Sequence, residues 1–219
     1  MSLKFGITFV ISKNMKSLFK GYVIFCTILL YLSIVSYVDV KIYSSKDKLE
    51  RKANEILWKK DVKLNWGNFQ GIPDSLSDYK ASTFSRIGFK CVEQDLFINI
   101  DFSSYFSKDQ SWTKNPESKS LLSHEQLHFD ITELIARKIR RECKDVKTEK
   151  ELFNNAIELL KVVYDKNYKI KDSINLHYDS ETEHGAIIEK QLEWEKKIAL
   201  ELKGLSKFTS PIIMKRFLR

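Results

Sequence analysis

The carboxy-terminal half of the chain carries hydrophobic residues at helical spacing. The periodicity predicts three helices, at residues 116–143, 148–170 and 181–203. A loop is expected between the last two, at residues 171–180. The first helix has a clear start, because Asn115 suits the N-cap, Pro116 fits the first turn, and Glu117 favours the positive end of the helix dipole.

The preceding segment shows the pattern of strands. Residues 79–92 are rich in β-formers, and residues 93–95 indicate a turn. Residues 96–102 then alternate, with one hydrophobic face made by Leu96, Ile98, Ile100 and Phe102. The sequence therefore predicts an α+β fold in which a small antiparallel sheet is followed by three helices.

An uncharged apolar run lies near the amino terminus, at residues 21–38, after Lys13, Lys16 and Lys20. Basic residues followed by an apolar run are typical of a signal peptide or a signal anchor. The run is long enough to cross ~30 Å of hydrocarbon, and no A-x-A-like cleavage site follows it. We therefore predict a basic region at residues 1–20 and an uncleaved transmembrane signal anchor at residues 21–40.

The anchor predicts a single-pass protein of the cytoplasmic membrane, with its domain on the extracytoplasmic (periplasmic) side, or a secreted protein if the signal is cleaved. Basic residues also follow the run, so orientation rests on its position at the amino terminus. We expect a helix-compatible stalk at residues 41–60 and a folded domain at residues 61–203. The basic and apolar tail, residues 204–219, is typical of a segment that is disordered or lies on a membrane surface.

Composition excludes several classes of protein. The chain has 219 residues and a net charge of +8, but its basic residues are interleaved with acidic ones and it contains no nucleic-acid-binding motif. We therefore expect no nucleic-acid partner. Three cysteines are too few for a disulfide scaffold. Cys26 lies in the apolar run, and Cys91 and Cys143 are expected either to pair or to be buried thiols.

The first predicted helix contains the motif HEQLH, at residues 124–128. Histidines four residues apart lie on one helix face, so both can bind one zinc ion. Glu125 is rotated by about 100° from that face and suits a general base acting on water. The same stripe as the histidines contains Leu121, Ile131, Ile135 and Ile139. The histidines are therefore expected to point inward.

Catalytic zinc commonly has three protein ligands and one open position. The sequence after residue 173 offers several candidates for the third ligand. His184 is preferred, because it is predicted at the start of the last helix, on its inward face. A glutamate of this segment is the second candidate and His177, in the predicted loop, the third; the glutamates are Glu181, Glu183 and Glu189.

Other residues have supporting roles in this interpretation. Tyr178 and His177 are possible transition-state stabilisers, although loop aromatics more often pack. Asp130 and Glu133 face away from the predicted metal, so a solvent-exposed face or a Glu133–Arg137 ion pair is favoured over contact with the ligands. The segment 79–89 has the character of an edge strand for an extended peptide, or simply of sheet.

The segment LLSHEQLHFDITELIAR (121–137) resembles the HEQ-x-HFDI-x-E signature of bacterial proteins described as predicted secreted zinc-dependent proteases. The resemblance covers roughly residues 60–200 and includes NWGNFQGIPD (65–74), YKASTFSRIGF (79–89), SW (111–112) and YDSETEHG followed by Gln191 and Trp194 (178–194). It implies a zincin-like metalloprotease fold. It also implies a site made of His124, Glu125 and His128, completed by His184 of the YDSETEHG block.

The sequence thus predicts a zinc metalloprotease (a peptidase of the HExxH type), with Zn²⁺ as cofactor and a peptide or protein as substrate. Zinc is expected on His124, His128 and His184, with Glu125 as catalytic base. The alternative is a non-catalytic metal-binding domain of the cell envelope that binds peptide or envelope partners. The intact glutamate of the motif favours the enzyme.

Overall fold

The structure, a computed structural model, describes residues 40–44, 53–94, 97–145, 149–209 and 212–215. The predicted anchor, residues 21–40, and the basic region before it lie outside this range, apart from Val40. Among the described residues, no helix combines the length and apolar character needed to cross a membrane. The α+β class, with a small antiparallel sheet and three helices, is confirmed.

The main sheet is antiparallel and is built around a long hairpin. Strands β4 (Ser85–Gln94) and β5 (Phe97–Ser107) pair along their length, with Phe89 opposite Phe102. Strand β1 (Val40–Ser44) pairs with β4, and β2 (Glu55–Leu57) pairs with β5, giving the order β1-β4-β5-β2. Two short strands, β3 (Ala81–Ser82) and β6 (Trp112–Thr113), form a separate pair. The predicted turn at residues 93–95 begins too early, because Glu93 and Gln94 are still paired in β4.

Two terminal predictions are wrong in part. A helix-compatible stalk is predicted at residues 41–60, but Glu55–Leu57 form β2. A disordered tail was one expectation, but Ser206–Phe208 form a 3-10 helix and Ile212–Lys215 form β7, which pairs with β5. Strands β2 and β7 both pair with β5, which is distant in the sequence, so the local sequence of either segment does not reveal the strand.

The three helices are α1 (Lys119–Asp145), α2 (Glu149–Thr182) and α3 (Ile188–Gly204). The predicted loop at residues 171–180 is wrong, because α2 continues without a break to Thr182. The segment is polar, but it contains neither glycine nor proline, and Lys171, Tyr178 and Thr182 are buried on one side of it. The helix therefore persists because that side packs against the rest of the domain.

Helix α1 lies at the centre of the domain. One of its sides packs Ile135 and Ile139 on the inner face of the sheet, where Ile87 and Phe102 are fully buried. Another side packs Leu127 and the buried residues Ile131 and Leu134 against α2 and α3 through Tyr178, Trp194 and Ile198. Cys143 belongs to the first cluster and is a free, buried thiol. Because α1 is covered on several sides, it holds the HEQLH motif rigidly.

Candidate metal centre

The inward orientation of the HEQLH motif is confirmed. His124 is 1% exposed and Glu125 is 3% exposed, and the side chain of His128 is 13% exposed. The predicted hydrophobic stripe is buried with them, at Leu121, Ile131, Ile135 and Ile139. The motif therefore lies in the interior of the domain, at the base of a cleft.

Both histidines meet a carboxylate from α2. Oδ1 of Asp179 lies 3.0 Å from Nε2 of His124 and 3.0 Å from Nε2 of His128. The two Nε2 atoms are 3.2 Å from each other. Three potential metal ligands thus point at one place, and Asp179 is a residue that the sequence interpretation did not select.

Hydrogen bonds on the other side of each ring favour one tautomer. Nδ1 of His124 lies 3.2 Å from Oε1 of Gln191, whose amide nitrogen donates to Glu195. Nδ1 of His128 lies 3.0 Å from Oδ1 of Asn175. With both Nδ1–H groups donating to amide oxygens, both Nε2 atoms have lone pairs directed at Asp179. Three electron-rich atoms at these distances require a proton or a cation between them.

The pKa values of His128 and Asp179 indicate the same need for a positive charge between these atoms. Burial alone would lower the pKa of His128, but its hydrogen bond to Asp179 and the charge of Glu125 outweigh burial and raise the pKa above its usual value. Burial alone would raise the pKa of Asp179, but hydrogen bonds from His124 and His128 and the charges of both rings hold it well below its usual range. The pocket thus stabilises a carboxylate together with a positive charge.

The geometry suits a zinc ion. Tetrahedral zinc with bonds of about 2.0–2.2 Å places its ligand atoms about 3.3–3.6 Å apart, and the three distances here, 3.0, 3.0 and 3.2 Å, are slightly shorter. Imidazole nitrogen and carboxylate oxygen are donors that zinc prefers. Oε2 of Glu125 is buried without a hydrogen-bond partner. An unpaired buried carboxylate oxygen is costly unless something in the cleft donates to it.

His184 lies beside this cluster but is not on a helix. It is in the turn between α2 and α3, with Nδ1 3.7 Å from Oδ1 of Asp179 and its ring centroid 6.4 Å from that of His124. The prediction that it begins the last helix is wrong, since α3 begins at Ile188. Nevertheless, ligand atoms of His124, Asp179 and His184 all lie within 4.8 Å of one another, so His184 can also reach the metal position.

The turn that carries His184 is held in a left-handed conformation. Glu183, His184 and Gly185 have φ values of 46°, 55° and 81°. The His184 amide donates to the Asp179 carbonyl, as in a Schellman helix end. A Cβ on Gly185 would lie 2.9 Å from Cβ of His124, so only glycine allows the turn to pack against the first histidine. The turn thus packs against His124 and directs His184 toward Asp179.

Two other predicted residues are placed differently from expectation. His177 lies on α2 rather than in a loop, where it contacts Glu181 and the ring of Trp194 and does not line the cleft. Tyr178 is fully buried, and its hydroxyl donates to Gln191 at 2.6 Å. The Tyr178 ring stacks on His124 with centroids 4.5 Å apart. Tyr178 therefore positions His124, and its engaged hydroxyl is poorly placed to stabilise a transition state.

The three glutamates that were candidate ligands, Glu181, Glu183 and Glu189, do not contact the HEQLH histidines. Glu181 accepts a hydrogen bond from Trp194, and Glu189 lies in the first turn of α3. Only Glu183 of the three lines the cleft. None of them has the close contact with the HEQLH histidines that Asp179 makes.

The far side of α1 is not the solvent-exposed face that was expected. The Glu133–Arg137 ion pair is present at 2.9 Å, but both residues are buried, and Arg140 also binds Glu133 at 3.1 Å. Asp130 accepts a hydrogen bond from Trp58 at 2.7 Å. These residues line a separate cavity of about 1140 Å³ on that side of α1. Asp130 and Glu133 have no contact with the histidines, so the expectation that they face away from the two histidines is confirmed.

His124, Glu125 and His128 line a cleft of about 630 Å³. One wall is the segment from Asp78 to Ser85, which contains β3, and another is the face of α2 that carries Lys171, Asn175 and Asp179. Thr83 ties the first wall to α1 by donating to the Glu125 carbonyl. The Tyr79 ring closes against His184 with centroids 4.7 Å apart. The candidate centre therefore lies in a cleft between these two walls.

Asp179 and Asn175 were missed because residues 171–180 were interpreted as a loop. On a continuous helix, Asn167, Lys171 and Tyr178 follow the inward side, and all three are buried. Asn175 and Asp179 are one turn apart beside that side, which suits partners for a buried site. The absence of glycine and proline in the segment was the available signal.

Comparison with protein-family models, with curated proteins and with solved structures finds no match to this chain. The interpretation of the centre therefore depends on its own geometry and on the sequence resemblance of the HEQLH segment.

Proposed function

We propose that the protein is a zinc-dependent peptidase. The observation that carries the proposal is the convergence of His124, His128 and Asp179 within 3.0–3.2 Å, beside the unpaired Oε2 of Glu125. The α+β arrangement, with the HEQLH helix packed on an antiparallel sheet, supports a zincin-like fold. His124, His128 and Asp179 would hold the metal, and His184 is the predicted alternative to Asp179.

When bound, zinc would polarise the scissile carbonyl and lower the pKa of a water molecule to about 7. Gln191 and Asn175 keep the two Nε2 atoms free for the metal by accepting from the Nδ1–H groups. Tyr178 fixes the plane of the His124 ring by stacking on it. These residues position the ligands.

Glu125 acts as the general base. Its buried position beside the histidines lets it accept a proton from the attacking water and then deliver that proton to the leaving amine. Thr83 holds the backbone of Glu125 in register with the cleft wall. Oε2 of Glu125 has no hydrogen-bond partner of its own and remains available for both transfers.

The cleft wall supports an extended peptide as substrate. Ala81 and Ser82 line the cleft and, among the described strands, pair only with β6. Their other edge can form main-chain hydrogen bonds with a peptide, which suits recognition of many sequences. The predicted use of segment 79–89 as an edge strand is therefore part of the proposal, limited to β3.

The proposal is tested by loading the purified full-length protein with zinc and measuring metal content and peptide hydrolysis together. We expect one zinc per chain and hydrolysis that stops with a chelator and returns with zinc. A folded protein that hydrolyses peptides equally well without metal would contradict the proposal.

The alternative is a metal-binding domain without catalysis, and one observation favours it. His184 is a fourth donor next to the other three, and four protein ligands would close the site as in structural zinc centres. A closed site would bind zinc tightly and hydrolyse no peptide. In that case the open position that a peptidase needs would be filled by His184, and His184→Ala would leave zinc bound.

The proposed location is the outer side of the cytoplasmic membrane, with residues 21–40 as anchor. A reporter that works only outside the cytoplasm, fused to the carboxy terminus, should give a signal. A well-expressed fusion without reporter activity would contradict the proposed topology.

A further inference from the structure

Most buried cations among the described residues have a buried acid as partner. Arg86 pairs with Glu55 at 2.7 Å. Arg137 and Arg140 share Glu133, at 2.9 and 3.1 Å. Such pairing is expected, because a charge removed from water is unfavourable without an opposite charge nearby.

Lys171 is the exception among the buried cations that the structure describes. It is 6% exposed, and the only acid at ion-pair distance is Asp172, 3.7 Å away with a side chain that is 59% exposed. Its ammonium donates to the Ser85 carbonyl at 3.2 Å and lies 4.2 Å from the centre of the Tyr168 ring. Burial lowers the pKa of Lys171, and the nearby Asp172 only partly opposes that effect. The charge therefore lacks a buried counter-ion.

Lys171 lies in the same cleft as Asp179, at a distance that can be compared with the length of a peptide. Lys171, Asn175 and Asp179 follow one another at intervals of four residues along α2, and all three line the cleft. Asp179 follows Lys171 by eight positions on the helix, which is about 12 Å along the axis. An extended peptide rises about 3.3 Å per residue, so it spans that distance with three or four residues.

We propose that Lys171 binds a carboxylate of the substrate, three or four residues from the bond that is cleaved. This inference rests on the proposed peptidase function. The carboxylate comes from the carboxy terminus of a short peptide or from an acidic side chain within a longer one. In either case it supplies the counter-charge that the buried ammonium lacks, and the Tyr168 ring and the Ser85 carbonyl hold the ammonium in place.

The test uses four randomised, N-acetylated octapeptide libraries with the zinc-loaded full-length protein. Two libraries contain Asp and Glu and two do not, and each composition is made with a free or an amidated carboxy terminus. We expect the library without any carboxylate to be cleaved about 10- to 100-fold more slowly in kcat/KM than the best library, which is the usual value of a charge-assisted hydrogen bond. The library that restores cleavage identifies the source of the carboxylate, and the cleaved bond should lie three or four residues from it.

Lys171→Met should remove this preference and leave zinc content unchanged, because Lys171 does not contact the metal ligands. Lys169→Met is the matched control, since Lys169 is exposed on the same helix and does not line the cleft. Peptide binding to zinc-loaded Glu125→Gln protein, measured by fluorescence anisotropy, gives a second readout that does not need turnover. The wild-type comparison of libraries stands even if Lys171→Met is unstable.

The outcomes separate this inference from the proposed function. Equal cleavage of all four libraries, or a preference that persists in Lys171→Met, overturns the carboxylate site and leaves the peptidase intact. Equal binding of all four libraries to the Glu125→Gln protein would also overturn the carboxylate site. If nothing is cleaved but the carboxylate libraries bind more tightly, the site stands and the peptidase proposal fails.

Discussion

Oδ1 of Asp179 lies 3.0 Å from Nε2 of His128, although the two residues belong to different helices. The contact joins the motif helix α1 to α2 at the point where a metal would bind. We therefore propose Asp179 as the third ligand in place of His184, which the sequence favoured, and the difference between the two can be measured.

Asp179→Ala is expected to weaken zinc binding more than His184→Ala does. Loss of a residue that only orients a ligand weakens metal binding by about 10- to 100-fold, so loss of the ligand itself should exceed about 100-fold. Competition with a chromophoric chelator measures the affinities. His177→Ala is the control, because His177 is exposed and outside the cleft. A larger loss for His184→Ala would restore His184 as the third ligand.

Asn175→Ala should reduce zinc affinity by about 10- to 100-fold without removing a ligand. The Asn175 side chain accepts from Nδ1 of His128, and without it the ring is free to rotate or to adopt the other tautomer. Ser173→Ala, at an exposed position of the same helix, should have no effect. Unchanged affinity in Asn175→Ala would mean that this hydrogen bond does not orient His128.

Gly185→Ala should destabilise the domain and disturb the metal centre. A left-handed residue other than glycine costs about 1–2 kcal/mol, and the new Cβ would lie 2.9 Å from Cβ of His124. We expect a lower free energy of unfolding and weaker zinc binding, measured by thermal unfolding with and without metal. Gly204→Ala is the matched control, because no heavy atom lies within 4 Å of a Cβ there. Equal effects of the two changes would show that the 183–185 turn does not brace His124.

Cys143 should resist alkylation in the folded protein at pH 8. Burial raises the pKa of its thiol to about 12, with a smaller contribution from Glu142, so almost no thiolate is present. In the unfolded chain a thiol ionises near pH 8.5. The contribution of this group to stability is therefore constant below that pH and declines as pH rises toward 12. Peptide mapping after iodoacetamide treatment, with and without denaturant, measures the protection. Rapid native-state labelling of Cys143 would contradict the packing described for it.

The parts of the site that could be predicted are those that one helix determines. The spacing of His124 and His128 and the stripe through Ile131, Ile135 and Ile139 place the motif inward, and the structure agrees. The Glu133–Arg137 pair could be predicted for the same reason, since its residues are one turn apart.

The remaining features depend on contacts between distant segments. Periodicity did not reveal that Glu133 and Arg137 are buried, because that burial comes from the neighbouring elements that cover the far side of α1. Asp179 was missed because residues 171–180 are polar, and they stay helical through packing against the core rather than through local preference. Strands β2 and β7 were missed because each forms only by pairing with β5.

The most direct test of the central claim is Glu125→Gln in the zinc-loaded full-length protein. The glutamine has nearly the same shape and Glu125 is not a ligand in this account, so zinc content and folding should be unchanged. Peptide hydrolysis should fall by about 10²- to 10⁴-fold, the usual contribution of a positioned general base. A variant that keeps its zinc and hydrolyses peptides at the wild-type rate would contradict the account, and so would a variant that loses its zinc, because Glu125 would then be a ligand.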